Sequence, residues 1–163
     1  MVEEFLRFQS VVDEMVRQIR VNKDKCSGCR YCELICSYRE SLRFNPRDSK
    51  IRVAKYDERG IDKPVLCRQC VTCPPIDACP TSAFRRGDGG VVRIDAESCT
   101  SCYLCVDACT VGAVFRPPVE GPPLVCDLCG GKPSCVEKCP TRALAFADED
   151  ASLGATPNES EVP

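Results

Sequence analysis

Cys99-Thr100-Ser101-Cys102-Tyr103-Leu104-Cys105-Val106-Asp107-Ala108-Cys109 spaces four thiols with gaps of two, two and three residues. The same gaps occur upstream in Cys26, Cys29, Cys32 and Cys36. Between them stand Cys67, Cys70, Cys73 and Cys79, with gaps of two, two and five and Pro80 following. Downstream, Cys126, Cys129, Cys135 and Cys139 have gaps of two, five and three and are followed by Pro140. These four groups, numbered one to four along the chain, use all 16 cysteines of a 163-residue sequence. At that cysteine content, cross-links or metal replace part of an apolar core.

Disulfides are the plain alternative for an even cysteine count, and they require an oxidising compartment. Glu3, Glu4, Arg7, Asp13, Glu14 and Arg17 interrupt the first twenty residues, so no apolar secretory core is read there, and no later segment has the length and hydropathy of a membrane span. The expectation is a soluble, cytoplasmic chain with reduced thiols. A net charge of −2 with interleaved signs gives no polybasic footprint for nucleic acid or anionic lipid.

Two metal chemistries then compete. Cys102, Cys105, Cys126 and Cys129 have the C-x2-C-x20-C-x2-C spacing of a zinc ribbon. That choice strands Cys99, Cys109, Cys135 and Cys139 as free thiols, whereas one [4Fe-4S] cluster per group uses every cysteine once. With no histidine in the chain, Rieske ligation, c-type haem attachment and mixed Cys/His zinc sites are excluded. Small residues inside the loops, Ser27 and Gly28, Val71 and Thr72, Thr100 and Ser101, let backbone amides approach sulfur and stabilise its negative charge.

The two-two-three spacing is the bacterial ferredoxin pattern, in which the fourth cysteine ligates the other cluster of a pair. Between groups two and three, Ala83, Phe84 and Arg85 read as a strand, Gly87 to Gly90 as a turn and Val91 to Ile94 as the returning strand. A phrase recurs after three groups, at Cys79-Pro80-Thr81-Ser82-Ala83-Phe84, at Cys109-Thr110-Val111-Gly112-Ala113-Val114-Phe115 and at Cys139-Pro140-Thr141-Arg142-Ala143-Leu144-Ala145-Phe146, which marks internal repeats. Ser37 and Thr110 stand where groups two and four have proline, and Pro74 to Ala78 and Gly130 to Ser134 are five-residue insertions. None of these departures removes a ligand.

These features resemble the four-cluster iron–sulfur beta subunits that accompany molybdenum or tungsten oxidoreductases, some hydrogenases and carbon monoxide dehydrogenases, over roughly residues 21 to 146. The resemblance implies a small α+β fold of two bacterial-ferredoxin-like modules interleaved in one chain, holding four [4Fe-4S] clusters. It also implies the ligand sets. The inner pair of clusters would take Cys67, Cys70, Cys73 and Cys109, and Cys99, Cys102, Cys105 and Cys79; the outer pair would take Cys26, Cys29, Cys32 and Cys139, and Cys126, Cys129, Cys135 and Cys36. The text Cys29-Arg30-Tyr31-Cys32-Glu33-Leu34-Ile35-Cys36-Ser37, then Phe44-Asn45-Pro46 and Ser49-Lys50-Ile51-Arg52-Val53, is most similar to the small subunit of tungsten-dependent aldehyde oxidoreductases and tungsten benzoyl-CoA reductases. Such a subunit relays single electrons between a tungstopterin catalytic subunit and a flavin subunit reducing NAD. Hydrogenase, carbon monoxide dehydrogenase and formate dehydrogenase partners, a free-standing polyferredoxin, and a redox-silent zinc module stay open as alternatives, and an array of four clusters leaves room for self-association into longer chains.

Phe5, Phe8, Val12, Met15 and Ile19 recur at helical spacing, so residues 1–20 read as an amphipathic helix packing on its own domain or docking to another subunit or copy. Lys50 to Tyr56 alternates and Asp57 to Gly60 turns, giving a strand pair, and the acidic tail from Ala147 to Pro163 reads as disordered. No Walker loop, dinucleotide fingerprint, nucleophile elbow or histidine base is present, so the chain is not expected to be an enzyme by itself.

Overall fold

The computed structural model describes residues 17–147. Within them four antiparallel ribbons of two strands each carry short helices and the cysteine loops. The first ribbon joins the two ends: β1 (Gln18–Val21) pairs with β8 (Leu144–Ala147), with Ile19 opposite Phe146. The others are local hairpins, β2 (Ile51–Tyr56) with β3 (Ile61–Leu66), β4 (Phe84–Arg86) with β5 (Val92–Ile94), and β6 (Val114–Phe115) with β7 (Leu124–Val125).

The turns follow from local chemistry. Gly60 at φ 61° ends the tight turn between β2 and β3, a left-handed conformation that costs glycine nothing. Between β4 and β5, Gly87 donates its amide to the Val91 carbonyl at 2.8 Å and Gly89 takes a φ of 70°.

Helix α1 (Tyr31–Ser41) carries Cys32 and Cys36. Ser37 lets it run on past Cys36, where a proline would have stopped it. The buried Ser37 hydroxyl donates to the Leu34 carbonyl at 2.9 Å. Glu33, 2% exposed, pairs with Arg30 at 2.7 Å and accepts the Val53 amide at 2.6 Å, fixing α1 to β2. The insertion at Pro74 becomes α2 (Pro74–Asp77), with proline in its first turn where the missing N–H costs least. Two further single-turn helices are α3 (Leu104–Ala108) and α4 (Ser134–Glu137). Helix α1 packs on α4 and α2 on α3, so groups one and four meet, as do groups two and three.

The repeated phrase has one conformation in all three copies. Ser82, Gly112 and Arg142 are left-handed, at φ 54°, 65° and 54°. The residues after them, Ala83-Phe84, Ala113-Val114 and Ala143-Leu144, are buried and enter β4, β6 and β8. The apolar core is thin and shared with sulfur. Ile51, Phe84, Val92 and Leu128 are among its most buried members, and Cys36, Cys67, Cys105, Cys126 and Cys135 belong to the same cluster. Arg52 of β2 lies 4.7 Å over the Phe115 ring, tying that hairpin to β6.

Two boundaries differ from the sequence reading. Ile19, counted on a helical face, is a strand residue, because alternation turns it inward against the core while Arg20 faces solvent. Phe5, Phe8, Val12 and Met15 lie outside the described residues, and with them most of the expected helix. Ala147, assigned to the tail, is the last residue of β8 opposite Gln18; the rest of the tail also lies outside the described residues. Among the described residues no helix is long and apolar enough to cross a membrane.

Candidate iron–sulfur sites

Each cysteine group opens with a loop that must fold tightly back on itself. The second residue after the leading cysteine is left-handed every time: Gly28 at φ 63°, Gln69 at 54°, Ser101 at 54° and Leu128 at 57°. That kink turns an amide back toward the sulfur just passed. Gln69 donates to Cys67 Sγ at 3.5 Å, and the Gly28 and Leu128 amides hydrogen-bond Cys26 and Cys126. Gly28 is the position with least freedom, since a Cβ there would overlap the Asp62 carboxylate of β3. Gly28→Ala is expected to lower stability by about 1–3 kcal/mol, through the left-handed backbone and the displaced Asp62, and to reduce iron retention at the Cys26 loop. A melting temperature and iron content equal to wild type would contradict this.

The fold gathers the thiols across groups. Cys26 stands within electrostatic reach of Cys29 and Cys139, and Cys32 within reach of Cys26 and Cys29. Cys67 stands within electrostatic reach of Cys73, Cys109 and Cys70. Cys105 has Cys102, Cys79 and Cys99. Cys135 has Cys126, Cys36, Cys129 and Cys32. Two of these sets wall apolar hollows. One is lined by Cys79, Cys99, Cys102 and Cys105 with Phe84 and Ile94. The other is lined by Cys36, Cys126, Cys129 and Cys135 with Ile51 and Leu66. The zinc-ribbon quartet is therefore divided, Cys102 and Cys105 facing one hollow and Cys126 and Cys129 the other. Among the described residues no three Cys, Asp or Glu side chains converge closely enough to hold one metal ion.

The electrostatics of bare thiols in these sets are unfavourable to charge. Burial pushes Cys32 and Cys126 up to about 12, with neighbouring Glu33 adding for the first and Cys36 for the second. It pushes Cys67 and Cys105 up to about 11, again with added repulsion from cysteines of the same set. A set that contains such a thiol sheds its protons readily only when a bound cation replaces them. Cys79 and Cys139 go the other way. Desolvation still opposes their ionisation, but the Phe84 amide on Cys79 and the Leu144 amide on Cys139, with the Thr81 and Thr141 hydroxyls, outweigh it and lower both. These are the cysteines that close groups two and four.

Sequence reasoning anticipated amide donors at Gly28 but not most of the others. Lys50 donates its amide to Cys36 Sγ at 3.3 Å, while its Nζ bridges Glu40 at 2.6 Å and Asp127 at 3.0 Å. Ala113 donates to Cys109 Sγ at 3.4 Å. Arg39 reaches the Cys129 carbonyl at 3.2 Å, and Arg86 bonds the Cys70 and Val71 carbonyls, so a guanidinium clamps the second cysteine of groups four and two. The repeated Cys-Pro-Thr text could have exposed Thr81 and Thr141. Nothing local marks Lys50 or Arg39, which act across the fold.

Four-thiol sets with backbone amides bonded to their sulfurs suit cubanes, and the family described as 4Fe-4S dicluster domain matches residues 61–149. The chain belongs to this 4Fe-4S dicluster family. Its 16 cysteines fit four [4Fe-4S] clusters. The polyferredoxin-like subunit of an aliphatic sulfonate oxidoreductase of Pyrococcus furiosus is 44% identical over 123 residues, covering 74% of this chain and 70% of that one. The electron transport protein HydN of Escherichia coli is 34% identical over 159 residues, covering 83% and 90%. Among solved structures, a chain of the active-site complex BamBC of benzoyl coenzyme A reductase, in complex with benzoyl-CoA, is similar with a TM-score of 0.50 and 30% identity, covering 81% of this dicluster protein and 79% of that chain. The named relatives carry electrons or serve as subunits; catalysis is not what their names assign to them.

Proposed function

We propose that this chain is the relay subunit of a cytoplasmic oxidoreductase complex, passing single electrons along four [4Fe-4S] clusters held in two interleaved ferredoxin-like modules. The ligand sets proposed are Cys26, Cys29, Cys32 with Cys139; Cys67, Cys70, Cys73 with Cys109; Cys99, Cys102, Cys105 with Cys79; and Cys126, Cys129, Cys135 with Cys36. The observation that carries the reading is the nearness of neighbouring sets: Cys135 lies within electrostatic reach of Cys32, Cys126 within that of Cys67, and Gln69 of the Cys67 loop donates a hydrogen bond to the Cys126 carbonyl at 2.8 Å. Redox centres this near exchange electrons without a diffusing carrier. The clusters supply the one-electron chemistry; the chain sets their potentials through the amide, hydroxyl and guanidinium contacts just described.

A tungstopterin catalytic subunit with a flavin/NAD subunit is the partnership proposed. The 44% identical oxidoreductase subunit and the 30% identical chain of a benzoyl-CoA reductase complex both support assembly with a large catalytic partner. The likeness to an electron transport protein along 90% of its length favours a second reading, a free-standing carrier.

Anaerobic iron, sulfide and zinc analysis of protein purified from its native host tests both, with EPR after dithionite reduction. About sixteen irons and sixteen sulfides per chain are expected, four of each per cubane, with interacting S = 1/2 signals and a large co-purifying subunit. The same metal content without any partner would favour the carrier, and zinc with no EPR signal would overturn the relay.

A further inference from the structure

Gln69 joins a ligand loop of the inner pair to a ligand loop of the outer pair, with both ends of its side chain satisfied. It is 2% exposed. Its left-handed φ of 54° sends its own amide back to Cys67 Sγ at 3.5 Å while the side chain leaves the loop altogether. Nε2 donates to the Cys126 carbonyl at 2.8 Å, and Oε1 accepts the Val92 amide at 2.7 Å. A carbonyl faces one end of the carboxamide and an N–H faces the other, so only one orientation serves both, and the donor must point at Cys126.

We propose that Gln69 is a positioning residue for electron exchange between the inner and outer cluster pairs, and that its side chain is the bridge joining the Cys67 and Cys126 loops. The inference rests on the ligand sets proposed above, which put Cys67 and Cys126 on different clusters. From Cys67 Sγ the bridge runs through the Gln69 amide and side chain to the Cys126 carbonyl and on to Cys126 Sγ, continuous except for two hydrogen bonds. One electron passes from a reduced cluster on one loop to an oxidised cluster on the other. No bond forms or breaks, and no proton moves, because a carboxamide does not titrate at this position.

The residue type fits that task. A carboxylate would repel the Cys126 carbonyl and place a negative charge between two anionic clusters. An amine could not accept from Val92. A neutral carboxamide leaves the transferred electron unbiased while holding both loops. A plain packing role would account for the burial alone, so the deciding readouts are a rate and a potential.

Two substitutions keep the volume and the backbone strain comparable. Gln69→Met loses both side-chain hydrogen bonds, and Gln69→Glu keeps the acceptor for Val92 while losing the donor to Cys126 and adding charge. The full-length protein is loaded anaerobically, assayed for iron and sulfide, and flash-reduced with a photosensitiser and a sacrificial amine as electron donor. Equilibration between clusters is followed by rapid-freeze EPR, and potentials by EPR redox titration. Both variants are expected to retain wild-type iron and to equilibrate about tenfold more slowly, the usual scale of an outer contact. The Glu variant should also lower the potential of the central clusters by about 59 mV, a tenfold one-electron shift. Wild-type rates and potentials in the loaded variants would overturn the proposal, as would loss of clusters in both variants while the wild type holds its full iron, since that outcome belongs to packing alone. A wild-type protein that binds no iron would instead sink the ligand assignment.

Discussion

Stripping iron and sulfide from the protein under anaerobic chelation is expected to abolish its cooperative melting transition, leaving a chain without fixed tertiary structure. The reason is what remains when the clusters go. Five of the seventeen buried apolar residues among those described are cysteines, and four of them line the two hollows rather than fill them. The ribbons have two strands each, and such ribbons are marginal in water alone. The longest helix described, α1, has 11 residues, too few to persist unsupported. Against this, Arg30, Leu42, Gln69, Ser82, Ser101, Tyr103, Leu128, Cys129 and Arg142 all hold positive φ. Each costs about 1–2 kcal/mol, while a whole domain is stable by only about 5–15 kcal/mol. Metal binding in such a chain is folding free energy. Circular dichroism and calorimetry of the loaded and stripped protein give the comparison, and a stripped form that keeps a sharp transition would refute it.

Cys139→Ser and Cys26→Ser are expected to remove the same cluster, although 113 positions separate them in a chain of 163 residues. Each single substitution should take the iron content from about sixteen to about twelve, and the double substitution should stay near twelve, because one cubane of four irons can be lost only once. Cys139→Ser combined with Cys126→Ser should fall to about eight. The contrast is a direct test of exchange between groups one and four, since sequence proximity alone would pair Cys139 with Cys126. Iron content of about twelve in the Cys139/Cys126 double variant, and eight in the Cys139/Cys26 one, would mean that group four keeps its own last cysteine. The geometry behind the expectation is the β1–β8 ribbon, whose register brings Val21 opposite Leu144 and so carries the residues after Cys139 alongside the approach to Cys26.

Much of the local structure was legible because its causes are local. The spacing of the cysteines set out four sites. Gly87 to Gly90 between Phe84 and Ile94 marked a hairpin, and Asp57 to Gly60 marked another. The repeated phrase after Cys79, Cys109 and Cys139 recurs as the same left-handed residue followed by the same buried pair. The absence of proline at Ser37 carried a signal too, though its consequence, a helix running through Cys36 to Ser41, needed the structure to be seen.

By itself the sequence determined the chemistry of the chain: sixteen thiols, no histidine, four loops too poor in apolar residues to hold themselves. Chemistry is legible because ligand identity and short spacing are properties of neighbouring residues. Only the tertiary structure decided which thiols share a hollow, that Ile19 belongs to a strand closing the ends of the domain, and that Gln69 reaches from the Cys67 loop to Cys126. Those contacts join residues up to 129 positions apart, as the pairing of Gln18 with Ala147 shows. No local propensity or spacing encodes such pairs; they exist because burying a small shared core around the sites brings distant segments together.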